Sequence, residues 1–180
     1  TNSGVTWTST SPFGFTDLTG VKFTGALTGY ACGSGGNVLK TTDGGASWNT
    51  VPTGGIVNEI YCVYAFTGNV AYVGEGVVNG GANLLKTTNA GANWQVVMTT
   101  ESNRGYFNGL AFTKANGNIF GLAIAERIYR STNSGANWYE VNAGVNGVSN
   151  AQNSLMIVDN EFYGFGMNNG AARIRLTTNN

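Results

Sequence analysis

One nine-residue motif recurs along this chain and constrains its fold more than any other feature. It occupies residues 40–48 with the sequence KTTDGGASW, and it returns as KTTNAGANW at residues 86–94 and RSTNSGANW at residues 130–138. Two partial copies flank the full ones: residues 1–7 (TNSGVTW) lack the front of the motif, and residues 175–180 (RLTTNN) lack its back. Regularly spaced copies of one motif predict a series of similar structural units stacked along the sequence.

The residue types in the motif predict a tight turn between two strands. An Asp or Asn side chain accepts hydrogen bonds from backbone N–H groups just ahead of it, which folds the chain back on itself. The Gly two places later supplies a positive φ angle that a residue with a Cβ resists. A strand-like run precedes each turn, and a Trp opens the run that follows. Each copy is therefore interpreted as the corner of a β-hairpin with a large apolar side chain on its exit strand.

The motif pattern Ser/Thr-x-Asp/Asn-x-Gly-x-x-Trp resembles the Asp-box, or BNR repeat, of β-propellers such as sialidases, the sortilin ectodomain, some fungal lectins and the photosystem II assembly factor family. The resemblance implies an all-β propeller of four-stranded antiparallel blades, in which the box is a structural device away from any active site. Asn replaces the Asp in every copy except at Asp43, so the corner keeps its acceptor and is expected to bind no cation. The structural residues that the resemblance assigns are Asn2, Gly4, Trp7, Thr41, Asp43, Gly45, Trp48, Thr87, Asn89, Gly91, Trp94, Ser131, Asn133, Gly135, Trp138 and Asn179.

The spacing of the copies sets the predicted domain organisation. Units about 45 residues long are typical of propeller blades. We predict a single propeller domain over residues 1–180, with repeats at 13–51, 56–98, 104–141 and 151–180, the last closed by a strand from residues 1–11. Such closure protects sheet edges that would otherwise pair with other chains. Three arrangements stay open: a closed ring of four blades, half of an eight-bladed ring built from two chains, or an excerpt of a longer array.

Composition removes several classes of function. The chain has no His, which excludes the most frequent general base and the commonest transition-metal ligand. Nine basic residues balance nine acidic ones, so there is no electrostatic footprint for nucleic acid or an anionic membrane. The apolar runs are far shorter than a membrane span. We predict no cofactor, no metal site, no nucleic-acid partner and no membrane span.

An enzyme is the alternative that the resemblance to sialidases leaves open. Sialidases need an arginine triad, and Arg130 and Arg175 belong to the repeated motif, which leaves too few arginines for that role. Glycosidase chemistry needs two carboxyl groups some 5–10 Å apart. Glu75, Glu101 and Glu126 are the loop carboxylates that such a pair would use. We predict that the chain is not an enzyme and that these groups are solvated.

Loop residues carry the binding hypothesis. Aromatic rings stack on the apolar faces of sugars, while Asn, Gln and Glu side chains bind the hydroxyl groups. The resemblance to fungal lectins implies glycans bound in pockets between blades, whereas the box Trp residues are expected to be buried between sheets. The candidate ligand-binding residues are Glu75, Asn79, Arg104, Tyr106, Glu126 and Asn168.

A basic residue precedes the turn in every copy that includes the front of the motif. A ring of positive charge that holds an anionic polymer is one interpretation. The favoured one is that each long side chain covers apolar strand surface and keeps its charged head in water. The four residues are Lys40, Lys86, Arg130 and Arg175.

Two cysteines lie on predicted strands of adjacent repeats. Cys32 and Cys62 would bridge two blades in an oxidising compartment. The alternative is that each is a small buried hydrophobic residue.

The combined interpretation is a non-catalytic extracellular propeller module for recognition, adhesion or assembly, on a bacterial surface or in a secreted protein. A carbohydrate-binding lectin is the alternative. The expected partners are a protein or a glycan, with a homo-oligomer formed through exchanged terminal strands as a further option. Because Thr1 shows neither an initiator Met nor a signal peptide, the sequence is expected to be a mature or excised segment.

Overall fold

A computed structural model of the chain describes residues 4–7, 9, 17–76, 81–101, 106–115, 118–124, 128–140, 154–158, 161–168 and 171–177. From residue 154 onward the description is of the backbone. These ranges contain fifteen β-strands and one short 3₁₀ turn, Ser34–Gly36. The all-β class predicted from the sequence is confirmed. No helix within these ranges has the length and hydropathy of a membrane-spanning segment.

The strands form four antiparallel sheets that follow one another along the chain. The first sheet contains β1 (Leu18–Phe23), β2 (Gly29–Gly33), β3 (Val38–Thr41) and β4 (Asn49–Val51). The second contains β5 (Ile60–Ala65), β6 (Ala71–Glu75), β7 (Asn83–Thr87) and β8 (Gln95–Thr99). The third contains β9 (Gly109–Ala115), β10 (Asn118–Ile124), β11 (Ile128–Ser131) and β12 (Tyr139–Glu140). The fourth contains β13 (Ser154–Val158), β14 (Glu161–Asn168) and β15 (Ala171–Thr177).

Successive sheets pack face to face. Because successive side chains of a strand point to opposite faces, the second sheet contributes side chains to the cores on both of its sides. In β6, Tyr72 faces the third sheet and its neighbour Val73 faces the first. The core between the first and second sheets consists of Tyr30, Cys32, Val38, Val51, Ile60, Val63, Ala65, Ala71, Val73 and Leu85. The core between the second and third consists of Cys62, Tyr72, Ala82, Leu84, Phe107, Leu110, Phe112 and Tyr129. The first strands of the sheets, β1, β5, β9 and β13, lie side by side in that order.

The predicted closing strand is not formed by the described N-terminal residues. Residues 4–7 adopt a turn, with Val5 81% and Trp7 90% exposed. The fourth sheet has three strands within the described residues, and β15 is its edge. The expectation that the box Trp residues are buried therefore fails for Trp7, and Trp48, Trp94 and Trp138 are only partly buried. Asn2 and Asn179 lie outside the described residues. The number of blades and the closure of the ring stay predictions.

The two cysteines are both buried and both present as free thiols. Cys32 belongs to the core between the first and second sheets, and Cys62 to the core between the second and third. Burial raises the pKa of Cys32 to about 11, and it raises the pKa of Cys62 well above its usual value. The Cys62 thiol donates a hydrogen bond to the Phe107 carbonyl, 3.0 Å away. The two cysteines are therefore not bridged in this structure, in which they belong to different apolar interfaces.

Candidate functional site

Each full box turns around the hydroxyl group of its Thr or Ser. In the first box, Thr41 Oγ1 accepts a hydrogen bond from the backbone N–H of Gly45 at 2.9 Å and donates to Oδ1 of Asp43 at 2.8 Å. The same Oδ1 accepts from the backbone N–H of Ser47 at 2.9 Å. These bonds connect both ends of the loop between β3 and β4. The hydroxyl group is fully buried, so the turn satisfies polar atoms that water cannot reach.

The second and third boxes repeat this geometry with Asn in place of Asp. The backbone N–H of Gly91 lies 2.9 Å from Thr87 Oγ1, and that of Asn93 lies 3.0 Å from Asn89 Oδ1. In the third box, Ser131 Oγ and Asn133 Oδ1 accept the equivalent two bonds, each at 2.9 Å. The corner therefore needs an amide or carboxylate oxygen and a hydroxyl group, and the negative charge of Asp is dispensable.

Two consecutive residues of each box adopt positive φ angles, whereas the sequence predicted one. The predicted glycines have φ angles of +92° (Gly45), +91° (Gly91) and +72° (Gly135). The residue before each of them is also left-handed: Gly44 at +75°, Ala90 at +62° and Ser134 at +59°. A residue with a Cβ is strained in this conformation. The second and third boxes therefore carry local strain that the first box avoids with Gly44.

The box glycines also make room for the neighbouring sheet. A Cβ on Gly91 would overlap Cγ1 of Val51, on the last strand of the first sheet. A Cβ on Gly135 would overlap the phenol of Tyr72 in the second sheet. The second and third boxes thus pack tightly against the preceding sheet. At Gly45 the nearest atom to such a Cβ would be Trp48 Nε1 at 3.6 Å, which is ordinary contact distance.

A Tyr and a Lys from one sheet bind one carbonyl group of the next sheet. Tyr30 Oη and Lys40 Nζ donate to the carbonyl oxygen of Gly68 at 2.6 and 2.7 Å. Tyr72 Oη and Lys86 Nζ donate to the carbonyl oxygen of Ser134 at 2.6 and 3.2 Å. In both pairs the ammonium group lies over the Tyr ring, 5.4 and 5.3 Å from its centroid. We call these two arrangements the inter-sheet clamps.

For Lys40 and Lys86 the clamps differ from both interpretations, because the charged heads were expected either in an open ring or in water. Both ammonium groups bind protein carbonyls and both stems lie along aromatic surface, so neither belongs to an open ring of charge. Burial lowers the pKa of Lys86. Arg130 is exposed, and the side chain of Arg175 lies outside the described atoms.

A second feature lies at the opposite end of the sheets from the boxes. The rings of Tyr61, on β5, and Tyr106, just before β9, stack with centroids 4.5 Å apart and an interplanar angle of 26°. Both rings lie against Gly76, where a Cβ would overlap the two of them. Tyr106 is 41% exposed. We call the patch formed by Glu59, Tyr61, Gly76 and Tyr106 the tyrosine surface.

Carboxylates border the tyrosine surface. Burial raises the pKa of Tyr61 to about 12, with a smaller contribution from a hydrogen bond to Glu59. The carboxylate of Glu75, the residue before Gly76, is buried and accepts hydrogen bonds from Asn58 Nδ2 at 2.6 Å and Asn83 Nδ2 at 3.1 Å. These two amides hold the Glu75 carboxylate in place, and the expectation that this carboxylate is solvated is wrong.

Of the six candidate ligand-binding residues, Tyr106 lies in the tyrosine surface, and Glu75 is buried between two Asn amides. Asn79, Arg104 and Glu126 lie outside the described residues, and Asn168 ends strand β14 with only its backbone described. Sequence reasoning missed Tyr61 and Glu59, which complete the surface. Glu59 lies just before the first strand of the second repeat, and Tyr61 lies within that strand. The alternation of side chains between the two faces of a strand was the signal that could have identified them.

A cleft of about 420 Å³ separates the first sheet from the second box. Lys40, Asn49, Thr50 and Val51 line one side of it, and Asn89 and Ala90 line the other. Its place between two sheets is where the lectin alternative predicts a glycan. Within the described residues no group of three or more Cys, Asp or Glu side chains is arranged to hold a metal ion.

Residues 5–158 match the sequence profile of the photosynthesis system II assembly factor YCF48 family. The chain belongs to this family. The predicted resemblance to Asp-box propellers is thereby confirmed. The family is one of assembly factors.

Solved structures with TM-scores above 0.5 show the same fold. YCF48 from Cyanidioschyzon merolae superimposes with a TM-score of 0.60 at 18% identity, covering 88% of this chain and 55% of that one. The GH74 xyloglucanase from Xanthomonas campestris gives a TM-score of 0.61 at 14% identity, covering 86% of this chain and 27% of that one. A YCF48 bound to D1 peptide gives 0.48 at 20% identity, covering 91% and 66%. The chain thus spans between about half and two thirds of the two YCF48 chains. Comparison with curated protein sequences gives no match.

The expectation of a secreted or cell-surface protein is wrong. The matched family is named for the assembly of photosystem II, which places its members with that complex and not outside the cell. The error has a physical origin. A composition rich in Gly, Asn and Thr reflects the turns and strands of a propeller, and it carries no information about the compartment.

Proposed function

We propose that this chain is a non-catalytic protein-binding module that takes up an extended segment of a partner protein on the tyrosine surface. The observation that carries the proposal is the Tyr61–Tyr106 stack, which is half-exposed and held flat against Gly76. Large aromatic side chains fixed in one conformation contribute much of the energy of protein interfaces, because binding costs them little entropy.

Charge favours a particular kind of segment. Glu59 lies beside the stacked rings, so the surface offers a carboxylate and aromatic faces together. A cationic side chain gains both an opposite charge and a cation–π contact in such a place. The expected partner segment therefore carries Lys or Arg next to an apolar residue.

Family membership supports a protein partner. The family consists of assembly factors, and one solved YCF48 is bound to a D1 peptide. We infer that this chain also acts by holding a segment of another protein. We also propose that residues 1–180 act as one propeller unit with repeats at 13–51, 56–98, 104–141 and 151–180.

The test is selection from a displayed library of random twelve-residue peptides, followed by affinity measurement with the selected peptides and with a D1 peptide. Tyr106→Ala is expected to weaken binding roughly tenfold or more, as truncation of an aromatic hot spot does. The matched control is Tyr139→Ala, which removes a 62% exposed tyrosine from the edge strand β12. Equal affinity of Tyr106→Ala and the unaltered chain would contradict the proposal, as would a failure to select any peptide.

A glycan ligand is the second candidate function. Stacked tyrosines beside a Glu side chain also suit a sugar ring, and the cleft between the first two sheets is a second place for one. A glycan array separates the two candidates. Saturable binding of one defined glycan, lost in Tyr106→Ala, would favour the lectin over the peptide binder.

A further inference from the structure

Strand β6 ends at a buried carboxylate, that of Glu75, which is 6% exposed. Its Oε1 accepts a hydrogen bond from Asn58 Nδ2 at 2.6 Å, and its Oε2 accepts one from Asn83 Nδ2 at 3.1 Å. Removing a charged group from water costs free energy, which neutral hydrogen-bond partners return only in part. The position is therefore unfavourable for the fold unless the carboxylate serves a further purpose.

The first sheet shows that the repeat itself does not require this carboxylate. Strands β1 and β5 share the same register and the same bulge, so the residues of the first two sheets correspond one to one. Gly33, the last residue of β2, corresponds to Glu75. The first sheet thus completes the same strand and leads into β3 with no side chain at this position. Glu75 therefore belongs to what is particular to the second sheet.

The tyrosine surface is also particular to the second sheet. In the first sheet, the backbone N–H of Ser34 donates to the carbonyl oxygen of the residue before β1 at 3.1 Å. In the second, that of Gly76 donates to the residue before β5 at 3.0 Å, so the two sheets share this part of the backbone. Their side chains differ, because Thr19 takes the place of Tyr61 at the bulge of the first strand. Since Gly76 has no side chain, both rings of the surface can lie against the chain at this point.

The hydrogen bonds of Glu75 fix the two chain segments that carry the tyrosine surface. Asn58 directly precedes Glu59, and Glu75 directly precedes Gly76, so the side-chain bond between the first members runs beside the backbone bond between the second. Asn83 begins strand β7, so the other bond of the carboxylate fastens both segments to the next strand. One carboxylate thereby joins three segments next to the stacked rings.

We propose that Glu75 is a positioning residue, which holds segments 58–59 and 75–76 so that the tyrosine surface keeps its binding conformation. This inference rests on the proposed function, because it concerns the same peptide-binding surface. The chemistry requires a carboxylate, since both partners are N–H donors and the group between them must accept on both of its oxygens. A glutamine has the same size but accepts on one oxygen only, and its own N–H₂ group then faces the remaining donor.

A cycle of Glu75→Gln and Asn83→Asp, alone and together, tests the proposal. The first change sets two donors face to face, and the second sets two carboxylates face to face. In the double variant the new amide donates to the new carboxylate, which still accepts from the Thr99 hydroxyl group. Each single variant is expected to weaken the affinity of the selected peptides roughly tenfold, because the binding conformation becomes a minor state. The double variant is expected to restore the affinity to within about twofold.

The same cycle distinguishes positioning from a direct attraction between Glu75 and a cationic peptide. Asn83→Asp adds a negative charge beside Glu75, so a direct attraction would make the peptide bind more tightly to this variant. Positioning predicts weaker binding instead. Tighter binding to Asn83→Asp would therefore overturn the inference.

A second measurement reads the surface without a peptide. In NMR spectra of the chain with isotope-labelled tyrosine, the Tyr61 and Tyr106 rings are expected to show mutual nuclear Overhauser contacts, because their centroids lie 4.5 Å apart. These contacts are expected to be lost in both single variants and to return in the double variant. The control is Tyr72→Phe, which removes a hydrogen bond of an inter-sheet clamp and is expected to leave the contacts in place.

The two measurements separate this inference from the proposed function. If no peptide binds the unaltered chain while the ring contacts follow the cycle, the proposed function fails and the positioning role of Glu75 stands. Unchanged ring contacts in the folded single variants would overturn the inference, as would a double variant that recovers neither contacts nor affinity. Far-ultraviolet circular dichroism shows whether each variant is folded. Where a single variant does not fold, a double variant that folds and regains the ring contacts supports the pairing, and one that does not contradicts it.

Discussion

At the scale of single residues, each box is organised by a buried hydroxyl group and a side-chain oxygen two residues later. Thr41, Thr87 and Ser131 are all fully buried, and each accepts the backbone N–H of the box glycine. The sequence predicted the role of Asp and Asn, because their turn-forming hydrogen bonds are local. It did not predict the role of the hydroxyl group, because Thr is common in β-strands in general and does not by itself indicate a box.

The Asp43 carboxylate makes the first box sensitive to acid. The hydroxyl group of Ser47 donates to it, as do the Ser47 backbone N–H and the Thr41 hydroxyl, and together they lower the pKa of Asp43 to about 2. A folded-state pKa below the unfolded value of roughly 4 stabilises the fold above pH 4, and this stabilisation is lost as the pH falls towards 2.

We predict that the stability difference between the unaltered chain and Asp43→Asn shrinks as the pH falls from 4 to 2. Thermal unfolding of both proteins across this range measures it, and an NMR titration of the Asp43 carboxyl reads the pKa directly. A titration midpoint near 4 would show that the hydrogen bonds to Ser47 do not hold the carboxylate in solution.

The left-handed Ala90 and Ser134 offer a gain in stability. A residue with a Cβ costs roughly 1–2 kcal/mol in this conformation, and replacing it by Gly removes that cost. Gly also raises the conformational entropy of the unfolded chain, which offsets part of the gain in stability. Ala90→Gly and Ser134→Gly are each expected to raise the free energy of unfolding by about 0.5–1 kcal/mol, measured by urea denaturation. The reverse change, Gly44→Ala, is expected to lower it by about 1 kcal/mol. A loss of stability in Ala90→Gly would mean that the methyl group contributes more packing than strain.

At the scale of the elements, the inter-sheet clamps connect neighbouring sheets through side chains that pair within one sheet. Tyr30 lies opposite Lys40, and Tyr72 lies opposite Lys86, so each pair reaches the same carbonyl group. In the third sheet, Leu122 stands opposite Arg130, and the Tyr of the clamp is absent from that position. The clamp therefore depends on two residues that the strand register brings together.

We predict that Tyr72→Phe lowers the free energy of unfolding by about 1 kcal/mol, the usual net contribution of one hydrogen bond. The phenol group bonds the Ser134 carbonyl, while the ring packs among Phe66 and Phe112 and stays in place in the variant. Tyr139→Phe, at a 62% exposed position, is the control and is expected to change nothing. If urea denaturation gives the same free energy of unfolding for Tyr72→Phe and Tyr139→Phe, the hydrogen bond of the clamp does not stabilise the fold.

The strands and corners could be predicted from the sequence, whereas the tyrosine surface could not. Strands and corners followed from the motif, because the turn chemistry and the alternation of apolar residues are local. The tyrosine surface did not, since Tyr61 and Tyr106 belong to different sheets and meet only when those sheets pack. Tyr106 was identified as a loop aromatic residue, but nothing in the sequence paired it with Tyr61.

At the scale of the whole molecule, the two ends of the sheets have separate tasks. Strand β7 begins at Asn83, whose amide bonds Glu75 beside the tyrosine surface, and ends at Thr87 in the second box. The box end fixes the packing of successive sheets, whereas the opposite end carries the exposed aromatic and acidic groups. Changes in the boxes are therefore expected to alter stability and to leave peptide binding at the tyrosine surface intact.

The second and third boxes act as wedges, because the glycine of each fits against the preceding sheet. Gly45 and Gly91 test this role as a matched pair, because their φ angles are +92° and +91° while only Gly91 lies against a neighbouring sheet. The backbone strain of an added Cβ is the same in both, roughly 1–2 kcal/mol. Overlap with Val51 adds about 1–3 kcal/mol at Gly91 alone.

The decisive measurement is the free energy of unfolding of Gly91→Ala and Gly45→Ala by urea denaturation at low protein concentration. The wedge predicts a distinctly larger loss for Gly91→Ala, by the overlap with Val51. Equal losses in the two variants would show that the box glycines serve the turn alone, and would contradict the account of how the sheets are held together.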